Sequence, residues 1–362
     1  MAYTTIDDPS AYFQTALYTG NGTSTNAITN DGNSDLKPDW LWLKSRSITS
    51  DHIIFDSTRG TNKRISANTD SAEETQAFYS SFDTDGFTLG DSNANVNQSG
   101  ATYVCWQWKA NGGTTSSNTD GSVTSTVQAN TTAGFSIVTY TGTGSATTVG
   151  HGLGVKPELI LIKNRNKSTG EGWAVYHGAN TSAPETDGLH LNLTNATNDD
   201  TDFWNDQAPT TTTFGISGDD RSGGSYNYVA YVFNSVQGYS KFGSYTATGN
   251  ANGPFVYTGF KPAWVMVKSS SRTNSETNWV IWDNKRNGFN PNVQFFANQN
   301  FTEGQRDDGG GAQIADIDIL SNGFKQRNST WGQNGSSGDT YIYIAFAEHP
   351  FVGSDGVPTT AR

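Results

Sequence analysis

The sequence predicts an all-β protein made of three tandem antiparallel β-sandwich repeats of about 100 residues each. Three observations carry this. First, a Pro-led apolar run ending in Lys occurs three times, at Pro38, Pro157 and Pro262, with the Lys six residues on at Lys44, Lys163 and Lys268. Second, aromatics make up 12% of a chain that is only 33% hydrophobic, so ring-rich cores supply burial that a disordered chain lacks. Third, Gly, Asn, Thr and Ser crowd the gaps between apolar runs, as tight turns require.

Each repeat reads in the same order. It opens on a Tyr-led turn: Tyr18-Thr19-Gly20, Tyr140-Thr141-Gly142 and Tyr245-Thr246-Ala247. The Pro-led run follows, with four apolar residues in a row in copies one and two and five in copy three, which suits a strand covered on both faces. Pro at the first strand position is tolerated, because its missing N–H falls at the end of the ladder. The next strand is His52-Ile53-Ile54-Phe55-Asp56, then Trp173-Ala174-Val175-Tyr176-His177, then Trp279-Val280-Ile281-Trp282-Asp283. A Phe strand comes next, at Phe87, Phe214 and Phe324. A closing strand starts at Tyr103, Tyr228 and Tyr343, with a small residue in its third place (Cys105, Ala230, Ala345) where two sheets approach.

The connections lengthen from copy to copy while the strands repeat. Insertions in repeat proteins map to loops, and loops on a rigid frame carry contacts. Residues 180–213 and 288–321 are therefore the expected places for variable contacts. The organisation that follows is an N-terminal segment with the first repeat over 1–110, a Gly/Ser/Thr-rich linker over 111–133, the second repeat over 134–238, and the third with a C-terminal tail over 239–362. Helix is expected only at Ser71-Ala72-Glu73-Glu74-Thr75-Gln76-Ala77-Phe78, whose Ser71 and Glu74 have capping-box spacing. Repeats in a row and repeats around a pseudo-threefold axis both fit the sequence.

Net charge is −12 with no basic stripe, so nucleic acid is not an expected partner. No apolar stretch reaches membrane-spanning length, so no membrane insertion is expected. The opening Met1-Ala2-Tyr3-Thr4-Thr5 lacks the charged and apolar regions of a signal peptide, which places synthesis in a cytoplasm. The single cysteine, Cys105, lies in a strand-like run and reads as a buried thiol; no disulfide framework is possible within the chain.

No catalytic residue, metal ligand or cofactor site is expected. The acidic pairs Glu73-Glu74, Asp199-Asp200, Asp219-Asp220 and Asp307-Asp308 sit in turn-like text, and Asp316 with Asp318 shows no catalytic setting. Asp83-Thr84-Asp85-Gly86 reads as a β-turn ahead of Phe87, since a calcium loop would need an acid at Ser81 and a distal Glu. Asn198-Asp199-Asp200-Thr201-Asp202 is an incomplete calcium pattern. The five histidines have no zinc spacing, and no Ser lies in a nucleophile elbow.

One polar constellation recurs. Asp56 precedes Arg59 as Asp283 precedes Arg286, and copy two has His177 and Asn180 there. It reads either as a contact site at a loop mouth or as a structural ion pair. Trp204 and Trp331 fall in loops, where exposed rings stack on sugar faces or plug interfaces. The candidate ligand-binding residues are thus Asp56, Arg59, His177, Trp204, Asp283, Arg286 and Trp331.

Three segments carry a resemblance. The opening, Ala2-Tyr3-Thr4-Thr5-Ile6-Asp7-Asp8-Pro9 through Tyr18-Thr19-Gly20-Asn21-Gly22, is one. Gly134-Phe135-Ser136-Ile137-Val138-Thr139-Tyr140-Thr141-Gly142 with Gly150-His151-Gly152-Leu153-Gly154 is another, and Ile344-Ala345-Phe346-Ala347-Glu348-His349-Pro350-Phe351 the third. Together they resemble tail-fibre and virion structural proteins of marine bacteriophages, cyanophages especially. The resemblance implies a virion component; taken with the repeats and the loop insertions, it gives the expectation of a non-enzymatic tail fibre or tail-associated appendage, held to other virion proteins in part by residues 1–14, forming a homo-oligomer such as a trimer, and binding a host-surface glycan or protein receptor through loops of copies two and three. A capsid-decorating or head-fibre protein is the alternative, and a glycan depolymerase a third.

Overall fold

The three Pro-led runs become central strands of three antiparallel sheets in a computed structural model that describes residues 2–168, 172–290, 293–304, 317–330 and 332–359. In module one the strand order is Phe13–Thr19, Thr102–Trp108, Trp40–Ser45, Ile53–Asp56, Lys63–Ser66 and Glu74–Thr75. Module two runs Phe135–Thr141, Asn227–Phe233, Leu159–Asn164, Trp173–His177, Asp187–His190 and Asn198–Asp199. Module three runs Ser240–Thr246, Thr340–Pro350, Phe260–Ser269, Val280–Asp283 and Phe295–Phe296. Every ladder is antiparallel, as the predicted class requires.

Both faces of each large sheet are covered, which is why the Pro-led strands are apolar throughout. The outer face of each packs on a small sheet. Asn26–Thr29, Gly86–Leu89 and Tyr79–Asp83 serve module one; Thr147–Gly150 with Thr213–Ile216 serve module two; Phe255–Tyr257, Gly323–Gln326 and Ile317–Leu320 serve module three. Three separate cores lie in these layers. The inner faces of all three large sheets meet in one further core, so the modules close on each other instead of lying in a row. Rings fill its centre: Trp40 lies 4.6 Å from Tyr231, Trp108 5.8 Å from Trp264, and Phe233 5.7 Å from Phe346. The void left there, lined by Trp40, Trp264 and Phe346 among others, is about 10 Å³, so the middle is packed interior and not a channel.

The repeated Tyr has a definite task. Tyr18, Tyr140 and Tyr245 stand directly opposite Tyr103, Tyr228 and Tyr341, and each pair stacks at 5.0–5.4 Å with interplanar angles of 10–13°. Such cross-strand ring pairs pin register. They also correct the expected alignment of copy three, whose counterpart of Tyr103 and Tyr228 is Tyr341, not Tyr343. Tyr343, not Ala345, therefore matches Cys105 and Ala230, as the partners Leu43, Ile162 and Val267 confirm. The Gly after the turn is demanded by space: a Cβ on Gly20 would sit 2.2 Å from the Gln98 oxygen, and one on Gly142 2.1 Å from that of Gly224.

Other expectations give way. Residues 111–133, read as a linker, contain Ser116–Asn118 and Ser125–Asn130, which extend the module-two sheet beyond Phe135–Thr141. The helix expected over 71–78 is absent, because Glu73 and Glu74 are drawn into ion pairs that hold the segment extended at Glu74–Thr75. Pro262 lies inside a ten-residue strand, at a bulge where the register shifts on either side of it. The described parts of the long connections are not free excursions: Leu189, Leu191, Phe295 and Ala297 enter the central core, and Phe203 and Trp204 the outer core of module two. The chain's beginning returns to its later part, with Thr4 Oγ1 donating to the Gln237 carbonyl at 2.8 Å and Asp7 accepting from the Ser354 N–H at 2.6 Å.

Candidate functional site

The seams between modules use one pattern three times, and the recurrent polar residues belong to it. The strand-ending lysines each reach a carbonyl of a neighbouring module: Lys163 to Asp70 at 2.9 Å, Lys268 to Thr194 at 3.2 Å, Lys44 to Asn300 at 3.5 Å. Three residues after each of those carbonyls, an N–H returns the bond: Glu73 to Arg165, Thr197 to Ser270, Glu303 to Arg46, at 2.9–3.0 Å. Trp173 and Trp279 donate their indole N–H to the Ser66 and His190 carbonyls. Module two thus grips one, three grips two, and one grips three. Burial pulls Lys44 and Lys268 down to about 7, with Asp51 partly opposing this at Lys44.

Two seams carry the same four-residue ion cluster. Asp56 accepts from Arg59 Nε at 2.5 Å and from the Tyr231 hydroxyl at 2.7 Å; Glu73 then joins Arg59 to Arg165. Asp283 accepts from Arg286 Nε at 2.5 Å and from Trp106 Nε1 at 3.0 Å; Glu303 joins Arg286 to Arg46. The Asp56, Arg59, Asp283 and Arg286 side chains have no exposed surface. Burial alone would lower the Arg59 guanidinium, but Asp56, Tyr231 and Glu73 outweigh it and hold the group above its ordinary range.

The third seam is neutral. His177 stands where the aspartates stand, buried, with Nε2 3.1 Å from the Tyr343 carbonyl and Nδ1 accepting from the Ala179 N–H. That pattern puts the proton on Nε2. Burial lowers its pKa to about 4 despite the carbonyl's pull upward. Asn180 accepts from Thr197 in place of the Arg–Glu contact.

None of these five residues is therefore a contact at a loop mouth. The reading as structural pairs is the one the geometry supports, and the expectation of exposed ligand-binding side chains is corrected. Trp204 is corrected too: it is 1% exposed, ends the short helix Thr201–Trp204, and donates Nε1 to the Asp187 carbonyl at 2.9 Å. Trp331 lies outside the described residues, as do Asp307, Asp308 and Asp316. Asp200 caps that helix and pairs with Arg221 at 3.0 Å. Asp83 takes hydrogen bonds from Ser81 and Thr88 across the Tyr79–Asp83/Gly86–Leu89 hairpin, as a turn would place it. Cys105 is fully buried, and that burial pushes its thiol well up.

Open space lies beside the seams, at matching positions. A cleft of about 370 Å³ between modules three and one is lined by Asp8, Asp31, Asn33, Lys285, Phe289 and His349 among others. Lys285 meets Asp31 at 2.6 Å, both well exposed, and Asp8 is held by Ser10, Ser34 and Asn33. A second cleft of about 370 Å³, between modules two and three, is lined by Lys156, Glu158, Tyr176, Gly178, Ala179, Asn234 and Phe242. At the remaining seam the place is filled: Gln128 donates to Ser57 and Thr58 and accepts from the N–H groups of Asn111 and Gly113. Sequence reading missed these clefts. The only signal was divergence at one repeat position, Ser57-Thr58 against Gly178-Ala179 and Asn284-Lys285.

Among the described residues no group of three His, Cys, Asp or Glu side chains is placed to hold a metal ion. A family model described as a domain of unknown function (DUF7483) matches residues 8–350. No curated protein and no solved structure matches.

Proposed function

The chain belongs to the DUF7483 family, and we propose that this member is a virion component of a phage: a rigid β scaffold, without catalytic activity, that binds glycan of a host envelope. The three phage-like segments described above motivate the virion assignment. The observation that carries the binding role is the cleft between modules three and one. Carboxylates, an amide and an ammonium group converge there beside the Phe289 ring. Sugar hydroxyls are met by such polar groups, and sugar faces by rings. The binding surface in this proposal is the seam, because the described parts of the long loops send Leu189, Leu191, Trp204 and Phe295 into the cores. The seams themselves are fixed by buried pairs, so the cleft is held in shape before ligand arrives, which lowers the ordering cost of binding.

The test is retention of the purified protein on immobilised envelope polysaccharide from cyanobacterial hosts, with Asp31→Ala/Lys285→Ala as the comparison. Saturable retention that falls about tenfold or more in the double variant is expected. Protein that is retained by no host envelope fraction, or that is retained equally after both changes, overturns the proposal.

A further inference from the structure

The strand Phe135–Thr141 has neighbours on both sides, Asn227–Phe233 and Ser125–Asn130. Its counterparts Phe13–Thr19 and Ser240–Thr246 stand at the edges of their sheets. The registers fix the equivalence. Ile137 faces Tyr231 on one side and Gln128 on the other; Phe242 faces Ile344 on one side, and its sheet continues no further. An unpaired strand edge is a template for another strand.

The chain shows what such an added strand does. Where Ser125–Asn130 lies along Phe135–Thr141, Gln128 enters the seam and its amide nitrogen donates to Ser57 Oγ at 2.9 Å and Thr58 Oγ1 at 2.8 Å. At the seam between modules two and three, those two positions are Gly178 and Ala179, and the cleft is open. One polar group there is unserved. Tyr176 borders the cleft, and its hydroxyl is buried without a hydrogen-bond partner on a side chain 1% exposed. Burying a hydroxyl without a partner is costly, so a partner is called for. Glu158, whose carboxylate already accepts from the Ser235 N–H, borders the same cleft as a further acceptor.

The edge itself is ready. Tyr239 and Ala247 bond to the closing strand, so the odd-numbered residues between them face inward and the even-numbered ones outward. Ser244 and Thr246 are exposed. The Phe242 N–H is taken by Ser235 Oγ at 3.2 Å, which leaves its carbonyl and the backbone groups of the two following even residues for an incoming chain. The matching edge of module one is a poorer candidate, because Asp31–Lys285 and the Asp8 contacts already cross its cleft.

We propose that the Ser240–Thr246 edge and the adjoining cleft form a docking site for an extended segment of a partner protein, which adds as an antiparallel strand and sets a Gln or Asn side chain opposite Phe242. This is strand addition, with main-chain bonds supplying affinity and the cleft supplying specificity. The amide donates to Glu158 and accepts from Tyr176, as Gln128 both donates and accepts at its own seam. The proposal does not rest on glycan binding and survives the failure of that reading.

The probe is a fluorescent peptide copying residues 123–131, titrated with the full chain and followed by anisotropy. Saturable binding in the range of about 10–500 μM is expected. Ser244→Pro should weaken it about tenfold or more, since that N–H faces outward and Pro is tolerated on an edge. Should Ser244→Pro disturb the fold by circular dichroism, Gly178→Leu gives the same readout by filling the cleft; a Cβ there meets only ordinary contacts at 3.5 Å. Replacing Gln by Leu in the peptide should cost several-fold. No saturation up to about 1 mM overturns the proposal. So does binding indifferent to the fold-competent variant, or a dimer of the free chain held by this edge, which would make the occupant a second copy.

Discussion

Arg59 and Arg286 are the most exacting residues of the seams. Each is an always-charged group with no exposed side-chain surface, neutralised by two carboxylates. Removing one member of a buried pair leaves an uncompensated charge and costs about 3–5 kcal/mol, whereas replacing the set by apolar residues is far milder. Arg59→Met should therefore destabilise by about 3–5 kcal/mol in chemical denaturation, and adding Asp56→Leu with Glu73→Leu should recover much of it. A single variant as stable as the parent refutes the assignment. The histidines act in another way. Burial lowers His151, His177 and His190 to about 4 and His52 well below its usual value. The unfolded chain, with histidines near 6.5, then binds protons that the folded chain does not, so stability is full above about 6.5 and is lost as pH falls toward 4. The denaturant midpoint should drop between about pH 7 and pH 5, and an unchanged midpoint would show these imidazoles protonating freely in the fold.

Strands were legible because their composition follows from two-sided burial. Trp40–Ser45, Leu159–Asn164 and Phe260–Ser269 are apolar where neighbouring text is polar, as are the closing strands Thr102–Trp108 and Asn227–Phe233. Ser125–Asn130 was not legible. Its Ser, Thr, Gln and Asn read as linker, yet it is held by pairing with Phe135–Thr141 and by Gln128 reaching another module. The short helices Thr201–Trp204 and Asn284–Asn287 escaped for a similar reason: each is one turn, started by an Asp side chain accepting backbone N–H groups at Asp200 and Asp283. The recurrence of Asp56–Arg59 and Asp283–Arg286 was visible, but burial was not, since burial depends on which module lies opposite. The clefts were beyond reach for the same reason, being defined by residues about 80 or more apart along the chain, such as Glu158 and Phe242.

At the scale of the molecule, one shared core is added to the three separate outer ones and joins the modules. The inner face of module two offers Leu159, Leu161, Trp173, Val175, Tyr231 and Phe233, all at most 2% exposed in the whole chain. Alone, that module would present an apolar face far beyond what a soluble monomer tolerates. A fragment of residues 114–238, which keeps every strand of the module-two sheet, should accordingly bind hydrophobic dyes and show no cooperative thermal transition, while the full chain melts in one. A fragment that folds alone with a sharp transition would mean that the modules are merely neighbours.

The contacts of Thr4 with Gln237 and of Asp7 with Ser354 have a mechanical consequence. The polypeptide is a line that the fold bends into a circle: the stretches around Thr4 and Ser354 meet on a single patch beside Gln237, where the second module passes into the third. A pull on either stretch bears on that patch, and Gln237 is three residues ahead of the strand edge that begins at Ser240.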